Sequence, residues 1–155
     1  MAAMAAATAI RTPFQTTLPY QFPQGLATNN GTIPAIVGMW HTNFEINGQT
    51  IQEAYQIWNY GGTEVHNPNV DPRTNNVCLG TWTPIGPQSY LLFHRVWWYD
   101  STGDWMGTIH LREVVTVSAN GQSHTGSFTL DFYDQNGNFQ NEVAGDVVAT
   151  RITSD

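Results

Sequence analysis

The fold is decided by residues 105–152, which read WMGTIHLREVVTVSANGQSHTGSFTLDFYDQNGNFQNEVAGDVVATRI. Apolar and polar residues alternate over three runs in this stretch, which is the pattern of β-strands that bury one face. The pairs Asn120-Gly121 and Asn136-Gly137 separate the runs. Asn-Gly favours tight hairpin turns because both residues tolerate positive φ. The stretch therefore predicts three successive antiparallel strands joined by hairpins.

The same pattern continues upstream. Turns are indicated at Asn47-Gly48 and Gly61-Gly62, and residues 101–103 form a short loop that ends in a glycine. Eight strands result, over residues 36–46, 49–60, 63–66, 77–83, 89–99, 105–118, 122–134 and 138–152. An eight-stranded meander removes its exposed edges by closing on itself. The sequence therefore predicts an all-β fold, a closed antiparallel up-and-down β-barrel of about eight strands.

The first predicted strand opens with Gly38-Met39-Trp40, which resembles the Gly-x-Trp opening of lipocalins. The resemblance implies a lipocalin-like (calycin-like) barrel, with the tryptophan across its closed end and an apolar pocket inside. Lipocalins usually carry a C-terminal helix and often a disulfide, whereas this sequence shows no helical pattern and has one cysteine, Cys78. The resemblance does not imply a catalytic role for any residue of this chain. Allene oxide cyclase-like barrels share the same general layout.

The N-terminal segment differs from the rest of the chain. Pro13, Pro19, Pro23 and Pro34 are incompatible with a regular helix or a central strand there. We therefore predict an extended N-terminal arm over residues 1–35 and a barrel domain over residues 36–155. The first ten residues lack the basic region of a secretory leader. The absence of lysine and the polar uncharged surface favour an exported protein, periplasmic or secreted, but do not fix the localisation.

Composition limits the partners. The net charge of −7 makes nucleic acid and anionic membrane surfaces unfavourable partners. No apolar run approaches the roughly 18 residues of a membrane span. The apolar interior of the predicted barrel makes a small apolar molecule the expected partner. A homo-oligomer is a further candidate arrangement, because the predicted outward parity of Trp58, Tyr60, Tyr90 and Trp98 would leave apolar patches.

Hairpin registers predict which side chains face the barrel interior. The Asn120-Gly121 turn places Ile109 opposite Phe132 and predicts a buried wall. That wall consists of Leu91, Phe93, Trp97, Ile109, Leu111, Val115, Phe128, Leu130, Phe132, Val143 and Val147. Arg95 and Glu113 share its parity. The Asn47-Gly48 turn pairs Trp40 with Tyr55 and so turns Glu53 inward, and the next turn does the same for His66. The predicted ligand-binding residues are Trp40, Glu53, Tyr55, His66, Arg95, Trp97 and Glu113.

Charged groups in an apolar interior must form pairs, change protonation, or contact water or a ligand. An Arg–Glu pair could simply fix the register, and a structural or assembly protein whose barrel is packed shut is a third alternative to the two functions that follow. Our first functional hypothesis is that the barrel binds a small, mostly apolar molecule, with Arg95 as polar anchor. The alternative is a cofactor-independent isomerase, cyclase or lyase. In it Glu53 or Glu113 moves a proton and Arg95 stabilises negative charge. The sequence does not decide whether the chain is an enzyme.

No cofactor is predicted, because the chain carries neither a glycine-rich phosphate loop nor a nucleotide motif. The same registers align His94, His110, Asp131 and Glu142 across four strands. These residue types would suit zinc or iron. The row lies on the polar face that should meet solvent, so we predict no metal site.

Overall fold

The computed structural model describes residues 33–74 and 77–154 of the chain. The strands are β1 (Gly38–Ile46), β2 (Gln49–Asn59), β3 (Thr63–Pro68), β4 (Cys78–Pro84), β5 (Ser89–Tyr99), β6 (Trp105–Val117), β7 (Ser123–Asp134) and β8 (Phe139–Ile152). Each strand pairs antiparallel with the next, and β1 pairs with β8. The predicted closed up-and-down barrel is confirmed, and it is compatible with a calycin-like fold.

Most of the predicted N-terminal arm, residues 1–32, lies outside the described residues. The proposed boundary at residue 35 therefore stays a prediction. Among the residues that the structure describes, no helix is long and apolar enough to span a membrane.

One end of the barrel is closed by Trp40 and Arg151. The indole Nε1 of Trp40 donates a hydrogen bond to the carbonyl oxygen of Ile36 at 2.8 Å. The Arg151 guanidinium lies 4.1 Å from the centre of the Trp40 ring and donates to the carbonyl oxygens of Val37 and Gly121. Trp40 thus lies at the closed end, as the lipocalin resemblance implies.

The registers predicted for the last three strands are confirmed. Ile109 pairs with Phe132, and Leu130 pairs with Leu111 on one side and Val143 on the other. The apolar set of each strand consequently faces the same interior, which satisfies the alternation read from residues 105–152.

Because of a β-bulge at Ile51, the side chains of β2 face the opposite way from the prediction. The Asn47-Gly48 turn forms as expected, but the β1–β2 register shifts between Phe44 and Glu45. Because Ile51 is an extra residue, Glu53 pairs with Asn43 and Tyr55 with His41. The predicted inward orientation of Glu53 and Tyr55 is wrong. Trp58, predicted to face outward, is fully buried.

A second bulge, at Met106, reverses the prediction of which β5 side chains face the barrel interior. Tyr99 pairs with Trp105 but Trp98 pairs with Gly107, so Met106 has no partner on β5. The backbone of Gly107 has a φ of 148°, and a Cβ there would lie 1.9 Å from the carbonyl oxygen of Tyr133. The bulge therefore requires glycine at this position.

The orientations predicted for β5 are wrong as a result. Arg95 is exposed and Trp97 is 61% exposed, both on the outer surface. Leu91 and Phe93, which were predicted to line the interior wall, also lie on the outer face of β5. The residues that face inward instead are Tyr90, Leu92, His94 and Val96.

The interior differs between the two ends of the barrel. Toward the closed end it is filled by the large buried side chains of Trp40, Trp58, Trp82 and Tyr90, and farther along Phe44 and Phe128 pack together, with Phe44 against His66. At the other end, bounded by the connections that follow β1, β3, β5 and β7, the inward side chains of Leu130, Phe132 and Val143 are partly exposed. We call this the open end of the barrel.

The bulge at Met106 can be tested by Gly107→Ala. The added methyl group would collide with the backbone of Tyr133, so we expect the free energy of unfolding to fall by about 3 kcal/mol or more. Gly121→Ala is the matched control, because Gly121 also has positive φ but open space around it. It should lose about 1 kcal/mol. Equal losses in urea denaturation would contradict the assigned bulge.

Candidate functional site

Six polar side chains meet inside the barrel, and each residue is 3% exposed or less. We call them the polar cluster: Thr42, Gln56, Glu64, His66, His94 and Glu113. They project from β1, β2, β3, β5 and β6. Buried polar groups are costly unless they are satisfied, so their concentration in one place marks this region as the candidate site.

Hydrogen bonds through Gln56 connect the cluster across the barrel. Thr42 Oγ1 donates to Gln56 Oε1 at 2.8 Å. Gln56 Nε2 donates to Glu113 Oε1 at 2.9 Å and to Glu64 Oε1 at 3.4 Å. A single side-chain amide therefore links two carboxyl groups that come from β3 and β6.

Gly80 on β4 creates the space in which Glu64 and His94 approach each other. Glu64 pairs with Gly80, and Gly80 pairs with His94, so the three residues form one row across β3, β4 and β5. A Cβ on Gly80 would lie 2.7 Å from Glu64 Oε2 and 2.7 Å from the Cβ of His94. Because the middle residue has no side chain, His94 Nδ1 lies only 3.4 Å from Glu64 Oε2.

Several atoms of the cluster have no hydrogen-bond partner. They are Glu64 Oε2, Glu113 Oε2, His66 Nδ1 and His94 Nδ1. Leaving a buried polar atom unsatisfied costs about 1–3 kcal/mol. Four such atoms in one small region are what a site for a polar or charged ligand group presents.

Burial also changes the protonation of the cluster. It raises the pKa of Glu64 to about 8 and that of Glu113 to about 8, and for Glu113 the charge of Glu64 adds to the effect. Burial lowers the pKa of His94 to about 4 and that of His66 well below its usual value. At neutral pH the cluster therefore contains protonated carboxyl groups beside neutral imidazoles, and such neighbours can donate and accept protons.

Cys78 lies next to the cluster on β4, where it pairs with His66. The residue is buried, and burial raises the pKa of its thiol to about 12. The charges of Glu64 and Glu113 act in the same direction. Cys78 is therefore a neutral core residue.

The structure divides the residues that the sequence predicted for the site. Trp40, His66 and Glu113 face inward as predicted, and the last two belong to the polar cluster. Their role in binding stays a prediction. Arg95 and Trp97 lie on the outer surface, with the Arg95 guanidinium 5.4 Å from the centre of the Phe93 ring. Arg95 consequently cannot reach a ligand inside the barrel.

Glu53 and Tyr55 lie together, but outside the barrel. With His41 they line a surface pocket of about 190 Å³ that Asn67 and Asn69 border. His41 Nε2 lies 2.9 Å from Glu53 Oε2. The bulge at Ile51 places both predicted residues on this surface.

The sequence interpretation missed Thr42, Gln56, Glu64 and His94 as interior polar residues. Glu64 could have been found, because it is two residues from His66 on the same strand and shares its face. His94 could have been found from Gly107, since an isolated glycine inside a strand indicates a bulge. Gln56 offered no comparable indication.

The outer row of four possible metal ligands is not formed as predicted. His110, Asp131 and Glu142 do lie in register on β6, β7 and β8. His94, however, faces the interior, and Arg95 takes the place opposite His110.

Comparison with known proteins adds no family assignment. The chain matches no known protein family and no curated protein. Its likeness to lipocalins therefore rests on the barrel and on Gly38-Met39-Trp40 alone.

Protonation of the cluster predicts how stability depends on pH. The pKa of Glu113 is raised from 4.5 to about 8, so its contribution is fully present below pH 4.5 and is lost as pH rises through 8. The lowered histidine pKa values act in the opposite direction, but only up to about pH 6.5. The free energy of unfolding should therefore fall between pH 6.5 and 8.5, by about 2 kcal/mol per carboxyl group.

Glu113→Gln should remove roughly half of this decrease. Glu142→Gln, on the exposed face of β8, is the control and should leave the decrease unchanged. Urea denaturation at several pH values measures both. A stability that rises over this interval, or a Glu113→Gln profile that matches wild type, would contradict the assigned protonation.

Proposed function

We propose that the barrel binds one small, mostly apolar molecule at its open end, with the polar cluster as the anchor for the molecule's polar group. The observation that carries the proposal is the unpartnered set of buried polar atoms beneath partly exposed apolar side chains. Glu113 Oε2 and Glu64 Oε2 have no hydrogen-bond partner. A protonated carboxyl group can donate to a ligand carbonyl, and an imidazole nitrogen can accept from a hydroxyl. This anchor replaces Arg95 of the sequence-based hypothesis.

The walls of the proposed site are apolar. Val96 and Ile109 are buried near the open end and pack with Trp98, Leu130 and Phe132. Ligand pockets typically combine apolar walls with a few convergent polar groups. An eight-stranded barrel has room for its own side chains or for one small ligand. The favoured ligand is therefore small, and only its end reaches the polar cluster.

Blocking the open end tests this proposal. Val143 faces inward and is partly exposed, whereas Val148 lies on the outer face of the same strand. Val143→Trp should reduce affinity for an apolar fluorescent probe such as N-phenyl-1-naphthylamine about tenfold or more, because the indole would occupy the ligand's space. Val148→Trp should leave the affinity unchanged. Equal affinities in the two variants, or no probe binding by wild type, would contradict interior binding.

Catalysis at the polar cluster is the second candidate, and the raised pKa of Glu113 favours it. A carboxylic acid that is protonated at neutral pH, in a cluster with neutral imidazoles, has the properties of a general acid. A cofactor-independent isomerase, cyclase or lyase would use this proton transfer. Native mass spectrometry of protein from its own host would identify a bound molecule. Glu113→Gln should then abolish turnover of that molecule but retain its binding if the chain is an enzyme, and should change binding alone if it is a carrier.

A further inference from the structure

Three members of the polar cluster direct donor atoms toward one point. Glu64 and His66 project from the same face of β3, and His94 projects from β5. One carboxylate oxygen and one nitrogen of each imidazole all lie within 4.8 Å of one another. Within residues 33–74 and 77–154 this is the one group of three such side chains that meets this geometry. We propose that Glu64, His66 and His94 bind a divalent transition-metal ion inside the barrel.

The donor set has the chemistry of known sites for such ions. Two imidazoles and one carboxylate bind Zn²⁺ in catalytic centres and Fe²⁺ in oxygenases. Donors that surround a tetrahedral Zn²⁺ at about 2.0–2.2 Å lie roughly 3.3 Å from each other. The observed separations are 3.4 Å between His94 Nδ1 and Glu64 Oε2, and 4.0 Å between His66 Nδ1 and Glu64 Oε1. No separation among the three donors exceeds 4.8 Å, so changes of up to about 1.5 Å in these separations would complete the site.

The donor atoms are available for an ion. Glu64 Oε2, His66 Nδ1 and His94 Nδ1 have no hydrogen-bond partner, and all three side chains are 2% exposed or less. Each is therefore a buried polar group whose cost of burial a metal–ligand bond would offset. A structural pair between Glu64 and His94 alone would leave the free nitrogen of His66 unexplained.

Neighbouring residues support the site. Gln56 Nε2 donates to Glu64 Oε1, which orients the carboxylate in the manner of an outer-shell partner. Gly80 leaves the space between Glu64 and His94, and a side chain at that position would fill it. Glu113, held by the same amide of Gln56, provides a second carboxyl group near the ion. Binding of the ion would displace the protons of both carboxyl groups, and the two resulting carboxylates would balance the charge of a divalent cation.

The metal site goes beyond the proposed binding of an apolar molecule and does not require it. Three protein ligands leave at least one coordination position open. Water, Glu113 or the polar group of a ligand could occupy that position. The two proposals can consequently fail separately.

Metal uptake should be measured during refolding, because ligands this deeply buried are most accessible before the barrel closes. The full-length protein is unfolded in urea with a chelator, freed of the chelator, and refolded with Zn²⁺ alone or Co²⁺ alone. After desalting, elemental analysis should find one zinc per chain. The cobalt form should show the visible absorption bands of a low-coordinate site. No stoichiometric uptake by wild type would overturn the proposal.

Matched histidine variants locate the ion. His66→Ala and His94→Ala should each weaken zinc binding about 100-fold or more, because each removes one of three protein ligands. His124→Ala is the control for loss of a buried imidazole, since His124 packs against Trp40 and Trp58 at the closed end. His41→Ala is the control for an exposed imidazole near a carboxylate. Both controls should retain the zinc. Zinc retained by His66→Ala and His94→Ala, or lost by His41→Ala, would overturn the assignment.

A measurement on wild type tests the site even if the histidine variants do not fold. X-ray absorption of the zinc form should show two imidazoles and oxygen donors at about 2.0–2.1 Å, and no sulfur at about 2.3 Å. A sulfur ligand would indicate that the ion binds Cys78 and would overturn the proposed site. Binding of the apolar probe to metal-free protein is measured in parallel. Zinc uptake without probe binding would contradict only the proposed function. Probe binding without zinc uptake would contradict only the metal site.

Discussion

The side-chain amide of Gln56 donates hydrogen bonds to Glu113 and Glu64, and the arrangement of the interior depends on this contact. It connects strands from opposite parts of the barrel and keeps two carboxyl groups in one small region. Because the region is enclosed, the uncharged forms of Glu64 and Glu113 are favoured, as are those of the neighbouring imidazoles. Burial produces this protonation state, whereas the hydrogen bonds from Gln56 hold the two carboxyl groups together and lower both pKa values in part.

The two ends of the barrel differ in how completely side chains fill the interior. At the closed end, stacking of Arg151 on Trp40 and its hydrogen bonds to backbone carbonyls fill the opening. Burial of the large aromatic side chains there supplies most of the apolar contact that holds the barrel shut. The cost of the buried polar groups is offset by this packing. At the open end the interior side chains are less completely covered, which is where a ligand would enter.

Sequence alone was sufficient for the topology, because Asn-Gly turns and alternating residues are local features. Glu113 was placed correctly since the β6–β7 register follows from the Asn120-Gly121 turn. Arg95 and Glu53 were placed on the wrong face because one extra residue in a strand reverses every side chain beyond it. Gly107 is a local indication of one bulge, but nothing comparable marks Ile51. Gln56 and His94 were hidden for this reason, whereas Thr42 and Glu64 already shared the predicted inward parity of Trp40 and His66.

The central claim is that Glu64 and Glu113 are enclosed and, in the metal-free protein, protonated at neutral pH. Carbon-13 NMR of the side-chain carboxyl groups tests it directly, because the chemical shift reports protonation at each glutamate. The chain has five glutamates, Glu45, Glu53, Glu64, Glu113 and Glu142. We expect two of them to titrate near pH 8, and one of these two resonances to disappear in Glu113→Gln. The absence of any carboxyl resonance that titrates near pH 8 would show that Glu64 and Glu113 reach water and would contradict the site.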